Sequence, residues 1–333
     1  MLSKTVTLSN SVESSVVAKT GQGLMMMTWK QNPDPDEQCF ESMKAGMDLL
    51  PPGAKMFLNS AEFYGINPPT ANLELLARFF EKYPEYVDKA FLSVKTGVSY
   101  GGSAATLEQN IRRRVDAIND KLRGTKKIDL FESARPVQGV PIELTTRIFG
   151  KLIQEGKFGH IGLSEVLDSR IIRQAHSTFP ITALEVEVSP WSYGQDVQEV
   201  IATCEELGIA IVAHSPLGHG FLTGKWKKYE DMANEVTDVR KDLARFQKEN
   251  FEHNLAISNA IAPIAAKKNV TAAQLCIAWV ASRSSKVIPL PGSAKAARTI
   301  ENAASGDIEL SEEELSAINR VVTMHIAKGG RYF

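Results

Sequence analysis

Short apolar runs alternate with longer amphipathic runs along almost the whole chain, and this rhythm limits the fold more than any other feature. The short runs are rich in β-branched and aliphatic residues, as strands are, and the longer runs repeat apolar residues at helical spacing. The predicted strands are Leu24 to Met27, Lys55 to Asn59, Ala90 to Lys95, Ile128 to Ser133, His160 to Ser164, Ala183 to Val188, Ala210 to His214 and Lys286 to Pro289. The predicted helices are Asp36 to Leu49, Ala71 to Lys82, Leu107 to Leu122, Ile142 to Glu155, Ser169 to Ser177, Val197 to Glu206 and Ala272 to Ser282. Such alternation is typical of α/β proteins with a parallel sheet.

The number of predicted strands, eight, favours a closed barrel over an open doubly wound sheet. The nearest approach to a dinucleotide-binding fingerprint, Gly21-x-Gly23, precedes its strand and lacks the third glycine. No Pro-, Gly- or Ser-rich linker divides the chain. We therefore predict one (β/α)8 TIM-type barrel domain over residues 1–333, with a long loop from Leu217 to Phe251 after strand 7 and a C-terminal helix. A loop of that length is interpreted as a functional flap, or else as a mobile insertion.

Local signals mark helix starts and a hairpin. Thr106-x-x-Gln109, Thr271-x-x-Gln274 and Ser311-x-x-Glu314 have the spacing of capping boxes, in which a hydroxyl accepts a hydrogen bond from a free N–H group of the first helical turn. The stretch from Met1 to Gly21 fits a small β-hairpin that precedes the barrel.

Composition excludes several classes of function. The formal net charge of -1 provides no global field for nucleic acid or an anionic membrane, so any anion site must be local. The three cysteines, Cys39, Cys204 and Cys276, are far apart and lack the spacing of a metal site, which indicates buried thiols in a reducing compartment. The first residues do not form a secretory signal, and no run is long enough to cross a bilayer. These features predict a cytoplasmic protein without a bound metal.

Polar residues lie at or just past the ends of successive predicted strands, where a barrel gathers its functional groups. They are Asn59, Tyr64, Lys95, Glu132, Ser164, Glu165 and His214. A lysine beside a tyrosine favours the phenolate and is expected to lower the tyrosine pKa from about 10 towards the working pH, which makes Tyr64 a candidate proton donor. The alternative is an interfacial tyrosine and a surface lysine.

The last predicted strand leads into a candidate phosphate site. Gly292-Ser293 starts a helix that carries Lys295 and Arg298, so free backbone N–H groups and two cations lie together. An ordinary Ser-capped helix with solvated bases is the alternative. A second cationic set, Lys225, Arg240 and Arg245, lies in the long loop and by itself would be solvated surface.

These residues together resemble the aldo-keto reductases over nearly the whole chain. That family has Asp-Thr-Ala-x-x-Tyr-Gly, a strand ending in Lys, Gly-Lys-x-x-x-x-Gly-x-Ser, Ser-Pro-Leu-Gly and Pro-Gly-Ser-x-x-x-x-Arg-x-x-Glu-Asn in this order. The matches here are Asn59 to Gly65, Lys95, Gly156 to Ser164, Ser215 to Gly218 and Pro291 to Asn302. The resemblance implies a TIM-type barrel that uses NADPH to reduce carbonyl compounds.

The resemblance also implies roles for individual residues in cofactor binding. Ser293, Lys295 and Arg298 would hold the adenosine 2′-phosphate, and Asn302 would lie near the adenine. Ser164 would hold the nicotinamide carboxamide, and His214 would replace an aromatic residue that stacks on the nicotinamide ring. The segment from Ser215 and Leu217 onward, with Lys225, would close over the pyrophosphate.

The chain departs from the family at three site positions. Asn59 stands where an aspartate pairs with the catalytic lysine, Ala134 where a histidine orients the substrate, and Glu185 where a glutamine contacts the carboxamide. Without the aspartate, Lys95 is expected to be less neutralised and its ammonium harder to keep. Loss of the histidine is expected to cost roughly 10²-fold in rate if nothing replaces it.

The same departures resemble those of the fungal pyridoxal reductases. The shared segments are Asn59 to Leu73, Leu92 to Lys95 and Asp129 to Arg135. We predict that Ala134 opens room for an aromatic aldehyde such as pyridoxal, with Trp29, Glu62 or Glu132 contacting its ring substituents. For the two glutamates the alternative is a structural hydrogen bond to a neighbouring loop.

The predicted function is NADPH-dependent reduction of an aldehyde, with Asn59, Tyr64 and Lys95 as the catalytic set. One alternative is a carbonyl reductase of broad specificity. Another is a redox-sensing subunit that binds NADPH, like the barrel subunits attached to potassium channels, with vestigial activity. The expected partner is a small-molecule aldehyde; a homo-oligomer is compatible with the sequence, but no feature indicates one.

Overall fold

The computed structural model describes residues 1–9, 14–98, 102–236 and 238–331. Eight parallel strands, β3 to β10, pair in sequence order in one sheet, and a separate antiparallel hairpin, β1–β2, precedes them. The strands are β1 Thr5–Ser9, β2 Ser14–Ala18, β3 Gln22–Gly23, β4 Met56–Ala61, β5 Ala90–Thr96, β6 Leu130–Ser133, β7 His160–Ser164, β8 Ala183–Glu187, β9 Ala210–His214 and β10 Val287–Leu290. The predicted hairpin is confirmed.

The sheet curls until its first and last strands meet. The Gly21 amide donates to the carbonyl of Pro289 at 2.9 Å, and the Gly23 amide donates to that of Pro291 at 3.0 Å. These contacts bring the sheet close to a complete ring, which confirms the predicted (β/α)8 TIM-type fold.

The first barrel strand lies earlier than predicted. The segment predicted as a strand, Leu24 to Met27, mostly forms a short helix, α1, and the strand is the preceding pair of residues, β3. Backbone contact decides this placement, because a Cβ on Gly21 would lie 3.0 Å from both the Phe57 carbonyl oxygen and Leu290. Hydrophobic periodicity does not reveal such a close approach.

Helices connect the strands and surround the barrel. They are α1 Met25–Thr28, α2 Asp36–Met47, α3 Ala71–Lys82, α4 Ala104–Leu122, α5 Ile142–Gln154, α6 Ser169–Thr178, α7 Gln195–Leu207, α8 Tyr229–Glu235, α9 Lys248–Lys268, α10 Ala272–Ala281, α11 Ala296–Ser305 and α12 Glu312–Met324. The predicted helices and the C-terminal helix are confirmed, but α9 was not predicted; it contains Pro263, which weakens a helical signal. No helix in the described ranges is both long and apolar enough to cross a bilayer.

Two of the three predicted capping boxes are present. The hydroxyls of Thr271 and Ser311 each accept a hydrogen bond from the backbone amide three residues on, and the side-chain oxygen at that later position accepts one from the backbone amide of the cap residue. The Thr106 box is wrong, because α4 begins earlier: Ser103 is the cap, and its hydroxyl accepts from the Thr106 amide at 3.2 Å. Thr106 therefore lies within the first turn of α4 and does not precede the helix.

The lower part of the barrel interior is apolar, and the hairpin covers its end. Val6, Leu8 and Val17 pack there against inward-facing side chains of the strands. Those strand residues are Phe57, Phe91, Leu130, Ala183, Ala210, Val212, Ile288 and Leu290. The candidate site residues lie further along the strands, towards the opposite, carboxyl ends.

The predicted loop after the seventh barrel strand runs from β9 to α9. It contains 3-10 turns at Gly218–Thr223, Val239–Asp242 and Ala244–Phe246, with α8 between the first two. Position 237 of this loop lies outside the described residues. The C-terminal segment crosses α9, where Asn254 exchanges two hydrogen bonds with the backbone of Lys328, at 2.7 and 2.9 Å.

Candidate active site

Four polar side chains form a buried layer above the apolar floor of the barrel. Asn59 on β4, Lys95 on β5, Glu132 on β6 and Glu185 on β8 are each at most 5% exposed. Strand register places them at the same height along the barrel axis; Lys95 on β5, for example, is directly opposite Glu132 on β6. Burial of this many ionisable groups requires partners, and the layer supplies them internally.

Lys95 lies between an amide and a carboxylate. Its ammonium nitrogen donates to Asn59 Oδ1 at 2.7 Å and to the two oxygens of Glu185 at 2.7 and 2.9 Å. The Asn59 amide nitrogen donates to Glu185 Oε2 at 2.6 Å and completes the cycle. Glu185 therefore meets the lysine from across the barrel, and both of its oxygens are engaged.

The expectation that Lys95 would be less neutralised is wrong. Burial, the largest single effect, lowers the pKa of this lysine, but the charges of Glu185, Tyr64 and Glu132 together with the hydrogen bond to Glu185 outweigh burial, and the pKa of Lys95 is raised above its ordinary value. The sequence showed that position 59 has an amide where the family has a carboxylate. It did not show that the carboxylate of Glu185 contacts the Lys95 ammonium. Lys95 therefore remains a cation.

Tyr64 follows β4, with its ring next to Lys95. The ammonium nitrogen is 5.3 Å from the ring centroid, and the side chain is 7% exposed. Burial raises the pKa of Tyr64, the charge of Lys95 lowers it, and the net pKa lies above the ordinary value. The expected fall of the tyrosine pKa is therefore wrong for the unliganded protein, because desolvation of the phenolate outweighs the nearby cation. The phenol keeps its proton at neutral pH, as a proton donor must.

Glu132 is a second buried carboxyl group in the same layer. Its Oε1 accepts a hydrogen bond from the Ser93 hydroxyl at 3.1 Å. Gly162 leaves room for the carboxyl group, since a Cβ there would lie 2.9 Å from Glu132 Oε2. Burial first, and the charge of Glu185 second, raise the pKa of Glu132 well above its ordinary value. Burial therefore favours the neutral form of Glu132, and Glu185 is the carboxylate in direct contact with the ammonium.

This raised pKa predicts how stability depends on pH. The unfolded pKa of a glutamate is about 4.3. If its pKa in the folded protein is higher, the group contributes fully to the free energy of unfolding below about pH 4.3, and this contribution is lost as pH rises towards the folded pKa. Glu132→Gln removes this loss, so we expect the variant to exceed the wild type in free energy of unfolding at neutral pH and to match it near pH 4. Urea unfolding at several pH values measures the difference. Parallel curves for the two proteins would contradict the assigned protonation.

The other residues predicted to contact the substrate have different environments. Trp29 stacks on Tyr64, with centroids 5.5 Å apart, and forms an aromatic wall at the site. Glu62 accepts hydrogen bonds from the Thr96 hydroxyl at 2.8 Å and the Gly97 amide at 2.9 Å, and it pairs with Arg114, as the structural alternative expects. Ala134 is partly buried just after β6. Substrate contact by these residues stays a prediction.

The residues predicted to hold the nicotinamide end lie at the ends of β7 and β9. Ser164 is buried and pairs in register with Glu185. His214 lies between the Glu165 carboxylate at 2.6 Å and the Ser215 hydroxyl at 3.1 Å, which fixes the ring orientation. Leu217 follows, partly buried, at the start of the loop.

An ionic cluster beside this histidine was not predicted. Glu187 is 1% exposed, and its Oε2 accepts from Arg331 at 3.0 Å, while Arg245 approaches its Oε1 at 3.5 Å. The alternation of a strand gave a signal for Glu187, which shares a face with Glu185. No sequence pattern indicated Arg331, because only the folded position of the C-terminal segment brings it to the barrel.

The predicted cations of the long loop pair with carboxylates of the chain. Lys225 pairs with Glu235, and Arg240 pairs with Asp238 at 2.8 Å. Arg245 donates to the Ser192 hydroxyl at 2.6 Å. These pairs hold the loop together, and a contact of Lys225 with a pyrophosphate stays a prediction.

The predicted phosphate site lies between β10 and α11. The Ser293 hydroxyl accepts from the Lys295 amide at 3.0 Å, and Lys295 caps the helix. Lys295 and Arg298 are exposed, and within the described ranges neither side chain is paired with a carboxylate. Asn302 is buried one turn further on. Two solvent-facing cations at a helix start fit a phosphate group, as the predicted cofactor site requires.

Comparison with known proteins identifies the family. The model of the aldo/keto reductase family matches residues 19–323. The chain belongs to the aldo/keto reductase family. As a member, it is an oxidoreductase that interconverts small aldehydes and alcohols with a nicotinamide cofactor.

Two fungal aldo/keto reductases are similar to the chain over nearly its whole length. One, from Schizosaccharomyces pombe and named "Probable pyridoxal reductase 2", is 35% identical over 320 residues, which is 95% of each chain. The other, from Saccharomyces cerevisiae and provisionally named as a pyridoxal reductase, is 33% identical and covers 94% of this chain and 95% of its own.

Solved structures support the fold. A glycerol dehydrogenase from Gluconobacter oxydans superposes with a TM-score of 0.78 at 21% identity, covering 97% of each chain. A thermostable aldo-keto reductase solved with the inhibitor epalrestat gives a TM-score of 0.69 at 20% identity, over 96% of this chain and 100% of its own. The aldo/keto reductase barrel is thus common to all three proteins.

Proposed function

We propose that this protein, acting as one barrel domain, reduces an aromatic aldehyde with NADPH, and that the aldehyde is pyridoxal, which becomes pyridoxine. The observation that carries the proposal is the buried Tyr64 ring beside Lys95, whose ammonium is paired with Glu185. An acid with an adjacent fixed cation at the open end of a barrel is suited to protonating a carbonyl oxygen.

The residues of the layer divide the work of proton transfer. Tyr64 donates its proton to the carbonyl oxygen of the aldehyde, and Lys95 stabilises the phenolate that remains. Glu185 keeps Lys95 charged, and Asn59 holds both groups in place. The raised pKa of Tyr64 keeps the donor protonated in the resting enzyme.

The cofactor is proposed to lie across the carboxyl ends of the strands. Ser293, Lys295 and Arg298 would hold the 2′-phosphate of NADPH, with Asn302 near the adenine. Ser164 and His214 would contact the nicotinamide, which supplies the hydride when bound. In this role the Glu165 carboxylate fixes the histidine ring against the cofactor.

The proposed substrate follows from the site and from the relatives. Both fungal relatives are named for pyridoxal reduction and are similar to this chain over at least 94% of it. Trp29 and Tyr64 provide an aromatic surface for a flat ring, and the small Ala134 leaves space near β6. A polar aromatic aldehyde fits this surface better than an aliphatic sugar.

An aldehyde panel tests the proposal. Consumption of NADPH is measured with pyridoxal, an aromatic aldehyde without ring substituents, and a sugar aldehyde. We expect the highest kcat/KM for pyridoxal. A higher value for the sugar aldehyde would support the broad carbonyl reductase, and tight NADPH binding without turnover would support the redox-sensing subunit.

In this proposal, the preference for NADPH over NADH depends on Lys295, the N-cap residue of α11, and on Arg298 in its first turn. We expect Lys295→Ala together with Arg298→Ala to raise the Kd for NADPH by about 10²-fold and to leave that for NADH nearly unchanged, because only NADPH carries the 2′-phosphate. Fluorescence titration with each cofactor measures both constants. An equal loss for the two cofactors would show that these cations do not read the 2′-phosphate.

A further inference from the structure

Lys95 is held by two side chains that come from opposite sides of the barrel. Asn59 is on β4 and Glu185 is on β8, four strands apart in the sheet order. Each places an oxygen 2.7 Å from the ammonium nitrogen, and the amide nitrogen of Asn59 donates directly to Glu185. The three groups form a closed set in which one neutral and one charged acceptor share a single cation.

We infer that Glu185 is the positioning residue of this site: its carboxylate holds Lys95 charged beside Tyr64, and Asn59 is the neutral link that orients it. The inference rests on the proposed function for the roles of Tyr64 and Lys95. It gives Glu185 a role distinct from binding the cofactor, since both oxygens of the carboxylate already face Lys95 or Asn59.

The charges around Lys95 explain why one carboxylate is enough to keep its ammonium charged. The titratable groups that face it are Tyr64 after β4, Glu132 on β6 and Glu185 on β8. Burial raises the pKa of both Tyr64 and Glu132 and so favours their neutral forms, whereas Glu185 has both oxygens within 2.9 Å of the ammonium and supplies the negative charge next to it. A second ionised carboxylate in contact with the same lysine would repel the first in a buried layer.

This geometry predicts that the carboxylate can move to the other side of the lysine. Asparagine and aspartate have the same shape, as do glutamate and glutamine, so exchanging the two functional groups conserves volume and net charge, and of the four hydrogen bonds only the second contact of Lys95 with residue 185 is lost. In the exchanged pair, the new amide donates to the new carboxylate, and the lysine still contacts one oxygen of each. Either side is sufficient, but one carboxylate is required.

Four proteins test the inference: wild type, Glu185→Gln, Asn59→Asp and the Asn59→Asp/Glu185→Gln double variant. We expect Glu185→Gln to lower kcat/KM for the reduced aldehyde by about 10²-fold and to move the alkaline limb of its pH profile to lower pH, because burial then lowers the pKa of Lys95. Asn59→Asp is expected to lose activity by about tenfold through the second charge. The double variant is expected to recover at least about tenfold over Glu185→Gln and to return the alkaline limb towards that of the wild type.

Glu206→Gln is the matched control. Glu206 pairs with Arg173 through two hydrogen bonds, at 2.6 and 2.8 Å, on the protein surface. Its replacement removes a carboxylate from an ion pair without changing the barrel interior, so activity and the pH profile should match the wild type. Full activity of Glu185→Gln, or a double variant no better than that single variant, would overturn the inference. If Glu185→Gln does not fold, recovery of folded, active protein in the double variant supports the inference, and its failure to fold overturns it.

A readout without substrate separates this inference from the proposed function. Urea unfolding midpoints of the four proteins report the pairing of Lys95 directly, and we expect each single variant to have a lower midpoint than the double variant. If no aldehyde is reduced by the wild type, the proposed function fails, yet the unfolding midpoints still test the exchange. If the wild type reduces pyridoxal but the double variant recovers neither activity nor the unfolding midpoint, only the positioning role of Glu185 is wrong, and the proposed function stands.

Discussion

We expect Tyr64→Phe to lower kcat/KM for aldehyde reduction by about 10³-fold while the Kd for NADPH stays unchanged. The variant keeps the ring that stacks on Trp29 and removes only the hydroxyl beside Lys95. The variant therefore lacks the phenol proton that the proposed mechanism transfers to the carbonyl oxygen. Steady-state assays with pyridoxal and fluorescence titration with NADPH measure the two quantities.

Tyr86→Phe is the control for this loss. Tyr86 is also 7% exposed, but its hydroxyl donates to Asp48 at 2.8 Å, at a site apart from the polar layer. Its removal should cost about 1 kcal/mol of unfolding free energy and leave turnover unchanged. Equal activity of Tyr64→Phe and the wild type would remove Tyr64 from the mechanism.

Lys95→Met is expected to lower the free energy of unfolding by about 3–5 kcal/mol at neutral pH, in addition to abolishing reduction. The substitution leaves the carboxylate of Glu185 buried without its cation, next to the carboxyl group of Glu132. Urea unfolding at neutral pH measures the effect.

Lys126→Met provides a comparison at another buried lysine. Lys126 is 8% exposed and lies 2.9 Å from Asp129, whose carboxylate also accepts from the Leu92 amide at 2.7 Å. Asp129 keeps this donor and some solvent contact, so a smaller loss of unfolding free energy is expected. A loss at Lys95 no larger than that at Lys126 would contradict the buried pairing.

The fold could be predicted where the signal is local. Strands such as His160–Ser164 and Ala210–His214, and the helix Ala71–Lys82, begin and end at the predicted residues because their patterns are complete within a few turns or pleats. The first barrel strand could not be placed, because its position depends on contact of the Gly21 backbone with Pro289 across the closed sheet.

The sequence by itself determined that Tyr64 and Lys95 follow neighbouring strands and that a cationic helix start follows the last strand. It also showed an amide at position 59 and a carboxylate at position 185. Only the tertiary structure decided that these two departures concern the same lysine, since Asn59 and Glu185 are 126 positions apart and meet only when the barrel closes. Burial decided the rest. Desolvation depends on the whole layer, and it raises the pKa of both Tyr64 and Glu132, whereas the local sequence indicated a lowered tyrosine pKa.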